Sequence, residues 1–168
     1  MSMKKAIVLA LAVMLTLSLA VPAAAVTSPV APETGETTTA PLPEVVESET
    51  KNADGSVVTV TPVDANKQDL TKDEKDAMAK AQQNQKEGAK GLKSTLYLFY
   101  ARVVKTNSDG TTTKDAKGSM TIKAKNPEDI IVRQFIGDKW IDLEVVPNSN
   151  GTVTINGIQN GPMLIGTK

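Results

Sequence analysis

The chain contains neither cysteine nor histidine among its 168 residues. Without cysteine it forms no disulfide, so a folded domain has to depend on its own core. The two absences also exclude serine triads with a histidine base, cysteine nucleophiles and almost every zinc site. No glycine-rich phosphate loop occurs, which argues against nucleotide chemistry. We therefore expect no catalytic centre, no cofactor and no metal site, and we predict that the protein is not an enzyme.

Aromatic residues and excess charge are also scarce. Phe, Trp and Tyr make up only 3% of the chain, which is too few for a carbohydrate groove built from several aromatic rings. Acidic and basic residues number 19 each, and loss of the two lysines near the N-terminus leaves a net charge of about −2. A chain with this charge balance has no basic excess that would attract nucleic acid or an anionic membrane.

The first 25 residues have the pattern of a secretory signal. Two lysines precede an uncharged apolar run over residues 6–20, and a proline follows that run. The small residues Ala23 and Ala25 stand at positions −3 and −1 of the predicted cleavage site, between Ala25 and Val26. The sequence therefore predicts a signal peptide over residues 1–25.

The alternative to cleavage is an uncleaved anchor. The uncharged run reaches Val26 if Pro22 is tolerated, and that length just spans a bilayer. Pro22 and the alanines after it fit a peptidase site better than a stable helix. We expect a secreted, extracellular product without a membrane span once the signal is removed, either free or held non-covalently at a surface. The absence of cysteine from the mature chain favours a bacterium.

Residues 26–55 are rich in Pro, Thr and Glu and contain no aromatic residue. Such a segment has too little apolar surface to offset the entropy of ordering it. We predict a disordered spacer, extended by its prolines, which either lifts the domain off a surface or merely joins it to the signal.

Residues 56–168 are predicted to form a single folded domain. Seven short segments alternate apolar and polar residues or are apolar on both faces, as β-strands do. Turn-forming Asn-Gly, Asp-Gly or Gly-Asp pairs separate many of them. The predicted strands are "SVVTVTPV", "STLYLFYARVV", "GSMTIKAK", "DIIVRQFI", "KWIDLEVV", "GTVTING" and "GPMLIG". About seven strands at this spacing indicate a mainly β, antiparallel sandwich of immunoglobulin-like architecture, with a partly open barrel as the alternative.

One helix is predicted at about residues 71–87. Thr71 and Glu74 have the spacing of a capping box, in which each side chain bonds the other residue's backbone amide. Gly88 ends the helix. Its apolar stripe is thin, so the helix cannot form a core and is predicted to pack on the sandwich.

The segment "IIVRQFIGDKWIDLEVVPNSNGTVTINGIQNGPMLIGTK", with the upstream "LTKDEKDAMAKAQ", resembles the C-terminal β-rich unit of small secreted or surface proteins of Gram-positive anaerobes, many from the gut. Those proteins have a "GKW" hairpin, a "DGTVT" hairpin and a final "GP" strand. The resemblance covers residues 69–168. It implies an extracellular module without an assigned activity, and it transfers no catalytic residue.

Trp140, the only tryptophan, is the first candidate for a ligand face. By strand alternation it shares an outward face with Asp142 and Glu144, which is unusual for so large an apolar side chain. An exposed Trp140 would be a stacking platform for a sugar or an anchor for a protein. The interpretation that we favour is that the helix from Thr71 covers it.

Three weaker hypotheses remain from the sequence. Asp142 and Glu144 on one strand face have a spacing that a retaining glycosidase could use. The second hypothesis is a serine nucleophile activated by a lysine base. The candidates are Ser94 with Lys93 and Ser119 with Lys117. A weak surface calcium site at "DANKQD" (residues 64–69) is the third, although this loop lacks the Gly and Glu that an EF-hand requires.

The sequence thus favours a secreted, non-enzymatic, monomeric module with a structural, adhesive or binding role. Its partner would be a cell-surface or extracellular protein or a glycan. The alternative is a domain that captures or inhibits a protein by pairing at an exposed strand edge, "SVVTVTPV" or "GPMLIG".

Overall fold

The computed structural model describes residues 42–65 and 69–168. The predicted signal peptide, its cleavage site and residues 26–41 of the predicted spacer lie outside these ranges. The described residues form eleven strands and two short helices, with a 3-10 turn at Pro127–Asp129. The bounds are β1 Val45–Glu47, β2 Glu49–Lys51, β3 Val57–Asp64, α1 Lys72–Gln83, α2 Gln85–Gly88, β4 Ser94–Thr106, β5 Thr112–Thr113, β6 Gly118–Lys123, β7 Ile130–Ile136, β8 Lys139–Asp142, β9 Glu144–Asn148, β10 Thr152–Ile158 and β11 Gly161–Thr167.

The strands form two antiparallel sheets. The larger sheet has the order β2-β3-β4-β11-β7-β8, with β5 added to the end of β4. The smaller sheet has the order β1-β6-β10-β9. The mainly β sandwich with one short helical segment is therefore confirmed. All seven predicted strands are present, but "KWIDLEVV" divides into β8 and β9, which belong to different sheets.

The main core lies between the two sheets. Alternate residues of β3, β4, β7 and β11 face alternate residues of β6 and β10, as the period of two requires. The core members with the largest fully buried side chains are Phe99, Met120, Ile122, Ile155, Ile158, Met163 and Ile165. Strand β4 is buried on both faces, as predicted, because its other face lies beneath the helix.

The second, smaller core lies between α1 and the outer face of the larger sheet. Met78 and Leu70 are buried there against Tyr100 and Val63. Thr71 caps α1 with the predicted capping box. The thin apolar stripe therefore packs on the sandwich, as expected.

The turn between β7 and β8 has the geometry that its sequence predicts. Ile136 pairs with Lys139, which leaves the two-residue loop Gly137–Asp138. Both residues have positive φ, 55° and 64°, as a type I′ hairpin turn requires. The turn carries Asp138 to a position opposite α1.

The prediction that "GPMLIG" is an exposed strand edge is wrong, because this segment is β11, which lies between β4 and β7. For "SVVTVTPV" the prediction is wrong only in part: this segment is β3, and β2 covers it over Val57–Thr59 and leaves its end paired with β4 alone. Their β-branched or apolar composition reflects burial inside a sheet. The edge strands are β2 and β8 in the larger sheet and β1 and β9 in the smaller one.

The predicted boundary between spacer and domain at residue 56 is also wrong, because β1 and β2 precede it. Strand β1 pairs with β6 and β2 pairs with β3, so the segment contributes to both sheets. Leu42 and Val45 pack against the main core, and Pro43 is buried. The Pro, Thr and Glu content of this segment led to the wrong boundary, because a short edge strand needs few apolar residues when its hydrogen-bond partners already exist.

No helix within residues 42–65 and 69–168 is long and apolar enough to cross a membrane.

The two early strands yield a stability prediction. A chain that begins at residue 56 should have a free energy of unfolding about 2–4 kcal/mol lower than a chain that begins at residue 42, because it loses the burial of Leu42 and Val45 and their strand pairing. Urea unfolding followed by circular dichroism measures the difference. Equal unfolding midpoints for the two chains would show that β1 and β2 do not stabilise the fold.

Candidate functional site

The N-terminal end of α1 is fixed to the sheet by a partly buried ion pair. Arg102 on β4 donates from Nε to Glu74 Oε1 at 2.9 Å and from Nη2 to Glu74 Oε2 at 2.7 Å. The same carboxylate accepts the Thr71 backbone N–H at 2.8 Å, so one side chain both caps the helix and docks it. The Arg102 guanidinium lowers the pKa of Glu74 from 4.5 to about 2, against the opposing effect of burial.

The indole of Trp140 holds the C-terminal end of α1. Its Nε1 donates to the backbone oxygen of Asn84 at 2.9 Å, and its ring lies 5.2 Å from that of Phe135 at an angle of 56°. A Cβ at Gly88 would lie 2.6 Å from the ring, so the turn can approach this closely only with glycine there. Trp140 is half-buried, and the helical segment from Thr71 covers it.

Arg133 on β7 fixes the segment that follows α2. Its Nη1 donates to the backbone oxygens of Gly88 at 2.6 Å and Lys90 at 2.7 Å. Its Nε donates to Asp142 Oδ1 at 2.6 Å. Arg133 therefore satisfies carbonyls that the end of the helix leaves without partners, and Asp142 orients the guanidinium.

A groove lies between α1 and the outer face of the larger sheet, bordered by the β7–β8 turn. We call it the helix groove, and its volume is about 380 Å³. Buried or half-buried apolar groups form its floor, and carboxylates stand at its mouth. Its lining residues are Asp73, Asp76, Ala77, Lys80, Tyr100, Phe135, Ile136, Gly137, Asp138, Asn160, Gly161 and Pro162.

The groove borders the point where the ladder between β7 and β11 ends. Their pairing begins at Met163, opposite Gln134, whereas Pro162 pairs only with β4. Pro162 has no N–H to donate to a neighbouring strand, so the end of the ladder leaves no donor without a partner there. Gly161 has a φ of 152° and approaches the backbone oxygen of Phe135, where a Cβ would lie at 3.3 Å.

Tyr100 brings a polar group to the apolar floor of the groove. The residue is only 8% exposed, and its hydroxyl forms no hydrogen bond with another described residue. In the described part of the chain, Thr95 Oγ1 is the one fully enclosed side-chain polar atom without a partner, so the Tyr100 hydroxyl is reachable from the groove. Burial, and then the charge of Glu74, raise the pKa of this hydroxyl, which keeps it protonated at neutral pH.

The structure separates the two carboxylates that the sequence places on one strand face. Asp142 ends β8 in the larger sheet, and Glu144 begins β9 in the smaller sheet, where it accepts from Asn156 Nδ2 at 3.1 Å. Leu143, between them, is where the chain passes from one sheet to the other, and its N–H donates to Val132 at 2.9 Å. Ile141, opposite the buried Gln134, is 41% exposed because β8 is the edge of the larger sheet.

The other sequence-based candidates have structural partners or are incompletely described. The Ser94 hydroxyl bonds that of Thr167 at 2.7 Å, and the Ser119 hydroxyl bonds that of Thr50 at 2.8 Å. The calcium hypothesis at residues 64–69 falls partly outside the described residues. Where the structure describes the chain, no three acidic side chains lie close enough together to hold a metal ion.

Sequence reasoning missed the helix groove, although one signal for it was present. Asp73, Asp76 and Lys80 follow each other at the i, i+3 and i+7 spacing that places side chains along one helix face. The pattern shows that these charges share a face. It does not show that this face borders Tyr100 and Pro162, because the docking angle of the helix is set by contacts distant in sequence.

No family model matches the chain, and neither the curated proteins nor the solved structures include a significant match to it.

The Glu74–Arg102 pair gives a pH-dependent stability. Because the folded pKa of Glu74 is about 2 and its ordinary value is 4.5, the ionised carboxylate stabilises the fold fully above about pH 5, and the contribution is lost as the pH falls from 4.5 towards 2. The size is about 3 kcal/mol. Glu74→Gln should therefore flatten the loss of stability over this range, measured by urea unfolding at several pH values.

The matched control is Asp73→Asn, which neutralises an exposed carboxylate on the same helical turn. We expect its stability profile to keep the acid dependence of the unaltered chain. If Glu74→Gln and Asp73→Asn give the same profile, the ion pair with Arg102 is not the source of the effect.

Trp140 yields a second stability prediction. Trp140→Ala should lower the free energy of unfolding by about 3 kcal/mol, since it removes a large aromatic contact and the bond to Asn84. Trp140→Phe, which keeps a ring but loses the donor, should cost about 1 kcal/mol. Urea unfolding followed by circular dichroism measures both. The control is the exposed neighbour Ile141→Thr, for which about 0.5 kcal/mol or less is expected. Equal effects of Trp140→Ala and Ile141→Thr would show that the indole does not hold the helix.

Proposed function

We propose that the described domain is a non-enzymatic binding module of an exported protein, and that it engages an extracellular or cell-surface partner through the helix groove. The observation that carries this proposal is the Tyr100 hydroxyl, a polar group without a described partner in an otherwise apolar floor. A ligand that reaches it gains a hydrogen bond without displacing one inside the protein. An apolar site with few polar groups is the general pattern of a ligand pocket.

The composition supports a binding role over a catalytic one. The chain has no histidine or cysteine, and the groove holds no side chain pair with the geometry of a nucleophile and its base. The two carboxylates considered for hydrolysis, Asp142 and Glu144, are both engaged by neighbouring side chains and belong to different sheets. Neither of them lines the groove.

The rigidity of the groove supports the same proposal. The helix that forms one wall is held at both ends, by Arg102 at its start and by Trp140 and Arg133 at its finish. A wall that is already fixed loses little conformational entropy when a ligand binds. The export signal predicted over residues 1–25 would place this groove outside the cell, where a surface protein or a glycan is the available partner.

The proposal is tested by nuclear magnetic resonance with a panel of short peptides, oligosaccharides and small amines. We expect at least one class to shift the backbone amides of groove residues such as Ala77, Gly137 and Gly161, while the ligand itself stays chemically unchanged for hours. Asp76→Arg, at the mouth of the groove, should abolish the shifts, and Glu128→Arg, an exposed charge reversal away from it, should leave them.

Two results would contradict the proposal. Shifts confined to the β9 edge around Val146 would move the binding surface to the other sheet. New ligand signals that grow with time in the presence of the protein, and not in its absence, would show catalysis.

A further inference from the structure

The mouth of the helix groove has an excess of negative charge. Asp73 and Asp76 approach it from α1, and Asp138 approaches it from the β7–β8 turn, whereas Lys80 is the one basic residue in its lining. Neither Asp73 nor Asp76 forms an ion pair with another residue in the described ranges. Two carboxylates at this mouth are therefore available to a cation.

The side chain of Lys80 indicates that an ammonium group fits at the mouth of the groove. Its Nζ lies 3.5 Å from Asp138 Oδ1, across the mouth of the groove, and the two side chains are 62% and 73% exposed. An ion pair this exposed stabilises a protein by at most about 1 kcal/mol. The molecule's own ammonium is thus accommodated at the mouth beside Asp138, and it leaves Asp73 and Asp76 to another ammonium.

The apolar floor of the groove fits the four-carbon stem of a lysine side chain. Ala77, Phe135 and Pro162 present apolar surface, against which a four-carbon stem can pack while its charged end stays near polar groups. The Tyr100 hydroxyl can accept from an ammonium, and it lies within electrostatic reach of Glu74, of Arg102 and, less strongly, of Asp73. Glu74 is paired with Arg102, so Asp73 is the carboxylate left to an added cation. An ammonium has three donors, so it can bond the hydroxyl and two carboxylates together.

We propose, on the basis of the function proposed above, that the helix groove binds the side chain of a lysine in a partner polypeptide. The ammonium lies between the Tyr100 hydroxyl and the carboxylates of Asp73 and Asp76, and the stem lies on the apolar floor. A lysine is favoured over an arginine because these acceptors belong to separate side chains, whereas a guanidinium is best bound by the paired oxygens of one carboxylate.

The direct test is a titration of the protein with acetyl-Gly-Lys-Gly-amide, followed through the groove amides. A single side chain should bind with a Kd on the order of 1 mM. The same peptide with norleucine in place of lysine should bind at least about 10-fold more weakly, because it keeps the stem and loses the charge. The arginine peptide should also bind more weakly than the lysine peptide.

Three variants assign the contacts. Asp73→Asn with Asp76→Asn should weaken lysine-peptide binding by about 10-fold, and Tyr100→Phe by about 5-fold. Tyr100→Phe should leave stability unchanged, since the hydroxyl has no described partner to lose. Lys80→Met should tighten binding by about 3-fold because it removes a like charge from the mouth and frees Asp138. A purely structural role of these residues predicts no such gain. The control, Glu128→Gln, should bind as the unaltered chain does.

The outcomes separate this proposal from the one on which it rests. Equal binding of the lysine and norleucine peptides, or weaker binding by Lys80→Met, would overturn the lysine assignment. If a glycan or an arginine peptide shifts the groove amides more than the lysine peptide does, the groove remains a binding site with a different occupant. If no ligand class shifts these amides, both proposals are wrong.

Discussion

The docking of α1 on the larger sheet is the constraint on which the rest of the helical face depends. The helix buries only a thin apolar stripe around Met78 and Ala81, which is too little to fix its position through the hydrophobic effect alone. Directional contacts supply the remainder, from Arg102 and Glu74 at the start of the helix, from Trp140 at Asn84, and from Arg133 at Gly88 and Lys90. Glu74, the most buried of these charges, has both Arg102 and the Thr71 amide as partners, which offset the cost of removing it from water.

The groove follows from this docking together with a local departure from sheet geometry. The helix packs on the sheet through Met78 and Ala81, and the groove lies beside this contact, where the ladder between β7 and β11 ends at Met163. The resulting space is bounded by elements that contact the main core on their other faces. Its shape is therefore set by the sandwich, while its charge is set by exposed residues of α1 and the β7–β8 turn. The two properties can be altered by separate substitutions.

Local patterns predicted most of the fold, and tertiary relations accounted for what they missed. Period-two alternation identified seven strands, the Thr71 capping box identified the helix, and Gly137–Asp138 identified the hairpin turn, because each depends on neighbouring residues alone. The break at Leu143 was missed because the residues around it continue to alternate while the chain changes sheets. The same limit applies to the site: Trp140 is half-buried and contacts Asn84 and Gly88 just beyond α1, and no local pattern shows this or the position of the Tyr100 hydroxyl.

The position of β11 has a consequence for how the protein comes to be folded. This strand, Gly161–Thr167, lies between β4 and β7 in the middle of the larger sheet, and its partner on β4 is about sixty residues earlier in the chain. Until β11 is in place, β4 and β7 have no strand between them, and the main core lacks Met163 and Ile165. The larger sheet therefore becomes continuous only when residues far apart in the chain have met, and contacts this distant in sequence form slowly.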